Sequence, residues 1–171
     1  MECTQGTLYT DGAALRRPDG LFCGAWACIY RSADKDANKE WWKSGCEDVT
    51  TNNRMELFAV VKGLRCLSTM PPLKHLTIIT DSKYVQMGIS RWMSGWKCHG
   101  WTRRSPDAKN SSQRSELLHA DLWMELDGLR KHHGKVEAKW VKGHHKCAGN
   151  KAADELCREE MNRLRIVLGF M

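Results

Sequence analysis

The order in which side-chain periodicity changes along this 171-residue chain leaves few folds open to it. Residues 8–10, 25–31 and 39–44 are rich in β-branched or aromatic side chains and read as three successive strands, with polar 32–38 as a hairpin loop. Helical spacing then takes over. Leu57, Val60, Val61, Leu64 and Leu67 follow Asn53, which reads as an N-cap, and Met70-Pro71-Pro72 stops that helix. A short apolar strand at 75–80 precedes a second helix from about Ser82 through Trp92. Residues 95–104 form a helical or loop element interrupted by Gly100, and 105–114, which hold Pro106, form a polar loop. Leu118, Leu122, Leu126 and Leu129 mark a long amphipathic helix, 136–141 alternate as a final strand, and Ala153, Leu156, Cys157, Met161 and Leu164 mark a terminal helix. Three strands and then alternating helix and strand imply an α/β fold, a meander extended by parallel strands through helical crossovers. No internal repeat and no long linker divides the chain, so one domain over 1–171 is expected, with its core at about 7–165.

Charge narrows the partner. The formal net charge is +7, yet between Lys83 and Arg114 seven Lys or Arg face one acid, Asp107, so most of the excess sits in that one segment. Such local concentration favours a polyanion. No apolar run approaches the ~20 residues that cross a membrane, and the N-terminus lacks a basic region followed by an apolar one. A cytoplasmic, free-standing monomer with no membrane partner is expected. The eight cysteines are irregularly spaced and form no Cys-x-x-Cys, so they read as small buried hydrophobes rather than disulfides or a zinc site. His144, His145 and Cys147 are the one combination with a metal-ligating composition of that kind.

Four acids stand at strand ends or near helix starts: Asp11, Glu56, Asp81 and Asp154. Each has an ordinary local reading. Asp11 before Gly12 suits an Asx turn, Glu56 completes a capping box with Asn53, Asp81 suits an N-cap, and Asp154 suits an exposed helix face. Their conjunction has another reading. Asp11 and Asp81 end strands expected at the sheet centre, where open α/β sheets form clefts at strand carboxyl ends. Converging carboxylates in a basic chain suit hard divalent cations acting on a phosphodiester.

The motifs around these acids resemble type 1 ribonuclease H. They read Tyr-Thr-Asp11-Gly, Thr-Asn-Asn-Arg-Met-Glu56-Leu, Thr-Asp81-Ser-Lys-Tyr-Val, Gly-Ile-Ser-Arg-Trp-Met-Ser-Gly-Trp-Lys-Cys-His-Gly-Trp at 88–101, Asp-Leu-Trp at 121–123 and Trp-Val-Lys-Gly-His144. They follow the family's order from about residue 7 to about 160. The resemblance implies a ribonuclease H-like fold, a five-stranded mixed sheet flanked by helices. It implies endonucleolytic hydrolysis of the RNA strand of RNA/DNA hybrids, leaving 5′-phosphate and 3′-hydroxyl ends. It assigns two Mg²⁺ ions, with Mn²⁺ as a substitute, to Asp11, Glu56, Asp81 and Asp154, and a proton-shuttling or product-release role to His144, with His145 beside it.

For the hybrid substrate it implies minor-groove contacts from Asn52 and Asn53, and a DNA-strand phosphate held by Thr51 with Asn110. It also implies a basic protrusion carrying Trp92, Trp96, Lys97 and Trp101. Trp92 and Trp96, four apart, are expected to pack on each other as well. The chain departs from the family pattern after Asp11-Gly12, where Ala13-Ala14-Leu15-Arg16-Arg17 precede Pro18 and the family's Asn is missing. Arg17 is expected to supply a phosphate contact in its place. Lys83 follows Asp81-Ser82 where bacterial relatives often have Gln, and the loop before Asp121 is longer than usual.

Overall fold

The computed structural model describes residues 4–34, 39–110, 112–143 and 146–170. Strands β1 (Gln5–Arg16), β2 (Phe22–Ser32) and β3 (Glu40–Glu47) form an antiparallel meander. Helix α1 (Asn52–Leu67) carries the chain across to β4 (His75–Thr80), which pairs parallel to β1. A long helical excursion follows: α2 (Lys83–Met87), a π-helical turn at Gly88–Trp92, α3 (Met93–Cys98), and α4 (Ala120–Arg130). The hairpin of β5 (Thr102–Arg104) and β6 (Arg114–Glu116) lies between α3 and α4. Strand β7 (Lys135–Trp140) pairs parallel to β4, and α5 (Ala148–Val167) closes the chain. The main sheet therefore runs β3-β2-β1-β4-β7, the expected mixed five-stranded arrangement.

Strand β2 explains why two helical layers fit this sheet at different depths. Its alternate residues Trp26, Cys28 and Tyr30 belong to the core under α1, with Leu57, Val60 and Leu64. The intervening Cys23, Ala25 and Ala27 face α5, with Cys157, Met161 and Leu164. Period-two alternation puts large side chains on one face and small ones on the other, so α5 approaches closely. The Cys157 thiol donates to the Ala25 carbonyl at 3.4 Å.

Several expectations are corrected. β1 does not stop at Asp11-Gly12: pairing with β2 continues to Arg16↔Phe22, which satisfies the backbone groups that a turn would have left to solvent. The cap of α1 is Thr51, whose hydroxyl accepts the Arg54 N–H at 3.2 Å, not Asn53. Residues 102–104 and 114–116 pair as a hairpin rather than a plain loop. α4 begins after Leu118, which is exposed, because His119 adopts a left-handed backbone at φ 57°. Of seven described cysteines, all free, Cys23, Cys28 and Cys157 are buried, whereas Cys46 and Cys98 are exposed, so the thiols are not mostly core residues.

Candidate active site

The parallel ladder between β1 and β4 ends at Tyr9↔Ile79, two residues before Asp11. From there β1 continues with β2 as its partner, and Asp11 pairs with Ala27. Asp81 follows the last residue of β4 directly. Its carboxylate is not needed as a cap, because the Ser82 hydroxyl accepts the Val85 N–H at 3.2 Å and starts α2. Thr80 Oγ1 accepts the Ser82 N–H at 3.0 Å, and the Trp140 indole donates to the Asp81 carbonyl at 2.8 Å. These bonds hold the β4–α2 turn from both sides.

Glu56 comes from α1, and Gly12 lets it come close. A β-carbon on Gly12 would lie 2.3 Å from both Glu56 N and Met55 C, inside any tolerable contact. The helix backbone rests directly on β1 there. With Thr51 as the cap, Glu56 sits in the second turn of α1 and is buried, rather than reaching back in a capping box. Asp11, Glu56 and Asp81 each offer an oxygen, and these three atoms lie within 4.8 Å of one another. Asp154, in the second turn of α5, is not in that group. Its carboxylate accepts a hydrogen bond from the Arg158 guanidinium one turn later.

This crowding has an electrostatic consequence. Burial first, then the charges of Asp81 and Asp154, push Asp11 up to about 7, against the pull of the Gly12 N–H and Arg158. Burial, Asp11 and Asp81 likewise hold Glu56 well above the ordinary glutamate range. Glu56 Oε2 is buried with no hydrogen-bond partner among the described residues. Uncompensated carboxylates at such a density are destabilising unless protons or cations neutralise them.

A ribonuclease H family model matches residues 4–162. A ribonuclease H of Francisella philomiragia subsp. philomiragia is 41% identical over 158 residues, which span 91% of this chain and 90% of that protein. The chain belongs to the ribonuclease H family. Its structure resembles that of LC9-RNase H1, a type 1 RNase H with the type 2 active-site motif, at TM-score 0.75 and 26% identity, over 95% of this chain and 74% of that one. A foamy viral protease-reverse transcriptase in complex with an RNA/DNA hybrid shares the fold at TM-score 0.73 and 18% identity, over 91% of this chain and 20% of that one.

The other residues to which ribonuclease H resemblance gives roles fall into two groups. Around the start of α1, Thr51 is engaged as the cap, Asn52 Oδ1 accepts the Ala14 N–H at 3.2 Å, and Asn53 is exposed on the first turn. Arg17, three residues beyond Ala14, donates to the Asp48 carbonyl at 3.0 Å and pairs with Asp19 at 2.8 Å. Across the molecule Trp92 and Trp96 pack with centroids 5.8 Å apart, as their spacing predicts, and Trp96 packs on the fully buried Trp123. Trp92 remains 39% exposed and available to a partner. Trp101 is partly buried against the core with a left-handed backbone, φ 62°. Lys97 is held by the buried Asp127 carboxylate at 2.8 Å, which Arg130 and Lys131 also approach. Asn110 is exposed, its Oδ1 accepting from the Ser112 N–H at 3.1 Å. His144 and His145 lie outside the described residues.

Sequence reasoning missed three contributors. Gly12 sets the approach of α1, Arg158 engages Asp154, and Arg54 forks onto Asp121 at 3.1 and 2.7 Å, tying α1 to α4. All three sit one to four residues from a quoted motif acid or inside a quoted motif. Only the partners, which come from distant elements, were invisible.

Proposed function

We propose that this chain hydrolyses the RNA strand of RNA/DNA hybrids endonucleolytically, leaving 5′-phosphate and 3′-hydroxyl ends. The observation that carries the reading is the cluster of Asp11, Glu56 and Asp81 with oxygens within 4.8 Å of one another. The foamy viral protein of the same fold is bound to an RNA/DNA hybrid, which supports this substrate class.

The donor set fits a hard divalent cation. It is all oxygen, and one of its atoms, Glu56 Oε2, is buried with no hydrogen-bond partner among the described residues. Asp11, Glu56, Asp81 and Asp154 would hold two Mg²⁺ ions, or Mn²⁺ in their place. When bound, such ions polarise the scissile phosphate and favour both the attacking and the departing oxygen. The protein's own part is to fix the donors. Strand register orients Asp11, the capped β4–α2 turn orients Asp81, and the close approach at Gly12 orients Glu56. Asp154 would join from α5 as Arg158 yields it. His144, ten residues before Asp154, would carry a proton to the leaving 3′-oxygen or assist product release.

Substrate would be gripped on two sides of the acids. Asn52, Asn53 and Arg17 would meet the RNA-bearing minor groove and its phosphates, and Thr51 with Asn110 a DNA-strand phosphate. Trp92, with Trp96, Lys97 and Trp101 behind it, would meet the DNA strand through the protrusion. Asn52 offers its amide N–H₂ for this, because its carbonyl oxygen is engaged by Ala14.

The test is cleavage of an end-labelled RNA/DNA hybrid, with duplex DNA and duplex RNA as controls, in Mg²⁺ and in EDTA. Asp81→Asn protein is run alongside. Metal-dependent cutting of the hybrid RNA alone, lost in the variant, is the expected result. Tight hybrid binding with no cutting in either Mg²⁺ or Mn²⁺ would mean a hybrid-binding protein that retains only the fold.

A further inference from the structure

A cavity of about 550 Å³ opens at the far end of the β1–β2 hairpin, away from the acids. Its walls are Leu15, Arg16, Arg17 and Pro18 from the hairpin and Arg165 and Phe170 from the end of α5 and beyond. We propose that this cavity is a distal phosphate subsite, which grips the nucleic-acid backbone several nucleotides from the scissile bond. The proposal rests on the hydrolase reading above and extends it to a second anchoring point.

Charge and partnering come first. Of the three guanidiniums, Arg17 is engaged by Asp19 and by the Asp48 carbonyl. The side chains of Arg16 and Arg165 have no hydrogen bond or ion pair among the described residues. Two arginines from separate elements that line one concavity, neither with a partner among the described residues, suit the tetrahedral oxygens of a phosphate, which an arginine fork meets bidentately. Leu15, Pro18 and Phe170 give the same space an apolar wall. A less polar surround strengthens the pairing, and an aromatic ring offers a face to a sugar or base.

Position comes second. Arg16 follows Asp11 by five residues on the same strand, and Arg165 follows Asp154 by eleven on the same helix. At about 3.3 Å per strand residue and about 1.5 Å per helix residue, both separations come to about 16 Å. Both walls of the cavity therefore stand at one distance from the acids, because α5 packs along β1 and β2. Ala14, bonded to Asn52, lies between. The acids, the expected minor-groove contacts and the cavity thus follow one another along β1. At about 3.4 Å of duplex axis per step, the cavity lies roughly five nucleotides from the cleavage point.

The experiment uses the full chain and hybrids that share one cleavage site, with either flank lengthened from about three to about twelve base pairs. Binding is read by fluorescence anisotropy in EDTA at several salt concentrations, for wild type and for Arg16→Gln/Arg165→Gln. Neither side chain supports the fold through a described partner, and a thermal melt verifies that the double variant is folded. Wild type should gain about tenfold in affinity as one flank passes roughly five base pairs, and the other flank should give no such step. The double variant should lose that gain, and its salt slope on the long hybrid should fall by about two, one per released phosphate contact. An undiminished gain in the variant overturns the proposal, as does an equal loss on short and long hybrids, which would mean general attraction without a located subsite. Absence of any length step in wild type overturns it too. Failure of wild type to bind hybrids of any length would instead defeat the underlying hydrolase reading.

Discussion

Replacing Gly12 with alanine should disable the site from behind, without touching an acid. The new methyl would lie 2.3 Å from Glu56 N and Met55 C and 2.6 Å from Met55 O, all backbone atoms of α1. Ordinary contact starts near 3.4 Å, so strand and helix must part by roughly 1 Å. No side-chain rotation can absorb this, because the obstacle is main chain. α1 is held in place by Leu57, Val60 and Leu64 in the core and by the fork of Arg54 on Asp121, so its first turns cannot swing away freely. Overpacking of this kind costs about 1–3 kcal/mol. Because Glu56 moves relative to Asp11, the proposed donor set loses its geometry, and a misplacement of about 1 Å costs on the order of 10²-fold in rate. Urea unfolding and initial rates on a saturating hybrid measure the two effects separately. Gly95→Ala is the control: a methyl there meets nothing within 4 Å, so α3 should gain roughly 0.5–1 kcal/mol from reduced backbone freedom. A Gly12→Ala protein with the wild-type urea midpoint and full hybrid cleavage would refute the close-approach argument.

Asp11→Asn should raise stability in the absence of metal while abolishing cleavage. The folded protein holds the Asp11 proton up to about 7 whereas the unfolded chain releases it near 3.8, so metal-free wild type should lose stability between about pH 4 and pH 8 and the variant should lose less; parallel urea midpoints across that range would contradict this. Trp123→Ala should cost about 3–5 kcal/mol, because the ring is fully buried, lies against Gly88, packs on Trp96 and donates its indole N–H to the Tyr84 hydroxyl at 3.0 Å. A thermal melt reads the loss, and a change below about 1 kcal/mol would mean that the protrusion is not anchored through this ring.

What the sequence made legible was whatever depends on period and order. The sheet order follows from three strands, a crossover and two parallel additions, and β2 shows its two faces in the alternation of Trp26, Cys28 and Tyr30 with Cys23, Ala25 and Ala27. The β5–β6 hairpin stayed hidden because three-residue strands of Thr, Arg, Ser and Glu carry no apolar period. The extension of β1 to Arg16 was hidden for another reason. Ala13, Ala14 and Leu15 look like a loop after a turn, and their strand character comes from pairing with Ala25, Gly24 and Cys23 across the hairpin. At the site, the sequence pointed to four converging acids; oxygens of Asp11, Glu56 and Asp81 lie together, Asp154 is not in that group, and its tie to Arg158 was not foreseen, although an i,i+4 acid–base pair is readable on any helix.

The local readings of the acids fail in a consistent way, and that consistency bears on function. Each structural task suggested by an acid's context is performed by a neighbour. Thr51 caps α1, so Glu56 does not stand at the capping-box position. Ser82 caps α2, which spares Asp81. Pairing with β2 carries the strand on past Asp11, where an Asx turn would have ended it. Asp11 and Glu56 are thereby spared those local tasks, in a place where burial and the neighbouring carboxylates oppose their ionisation. A fold under pressure for stability alone would fill these positions with apolar or neutral side chains, since unpaired buried charge is among the more destabilising features a protein can carry. Asp154 has Arg158 as a partner, one turn away and mostly exposed. A cation that an incoming ligand can displace at little expense keeps the fourth acid soluble while leaving it recruitable, which suits a site assembled fully only when metal and substrate arrive together.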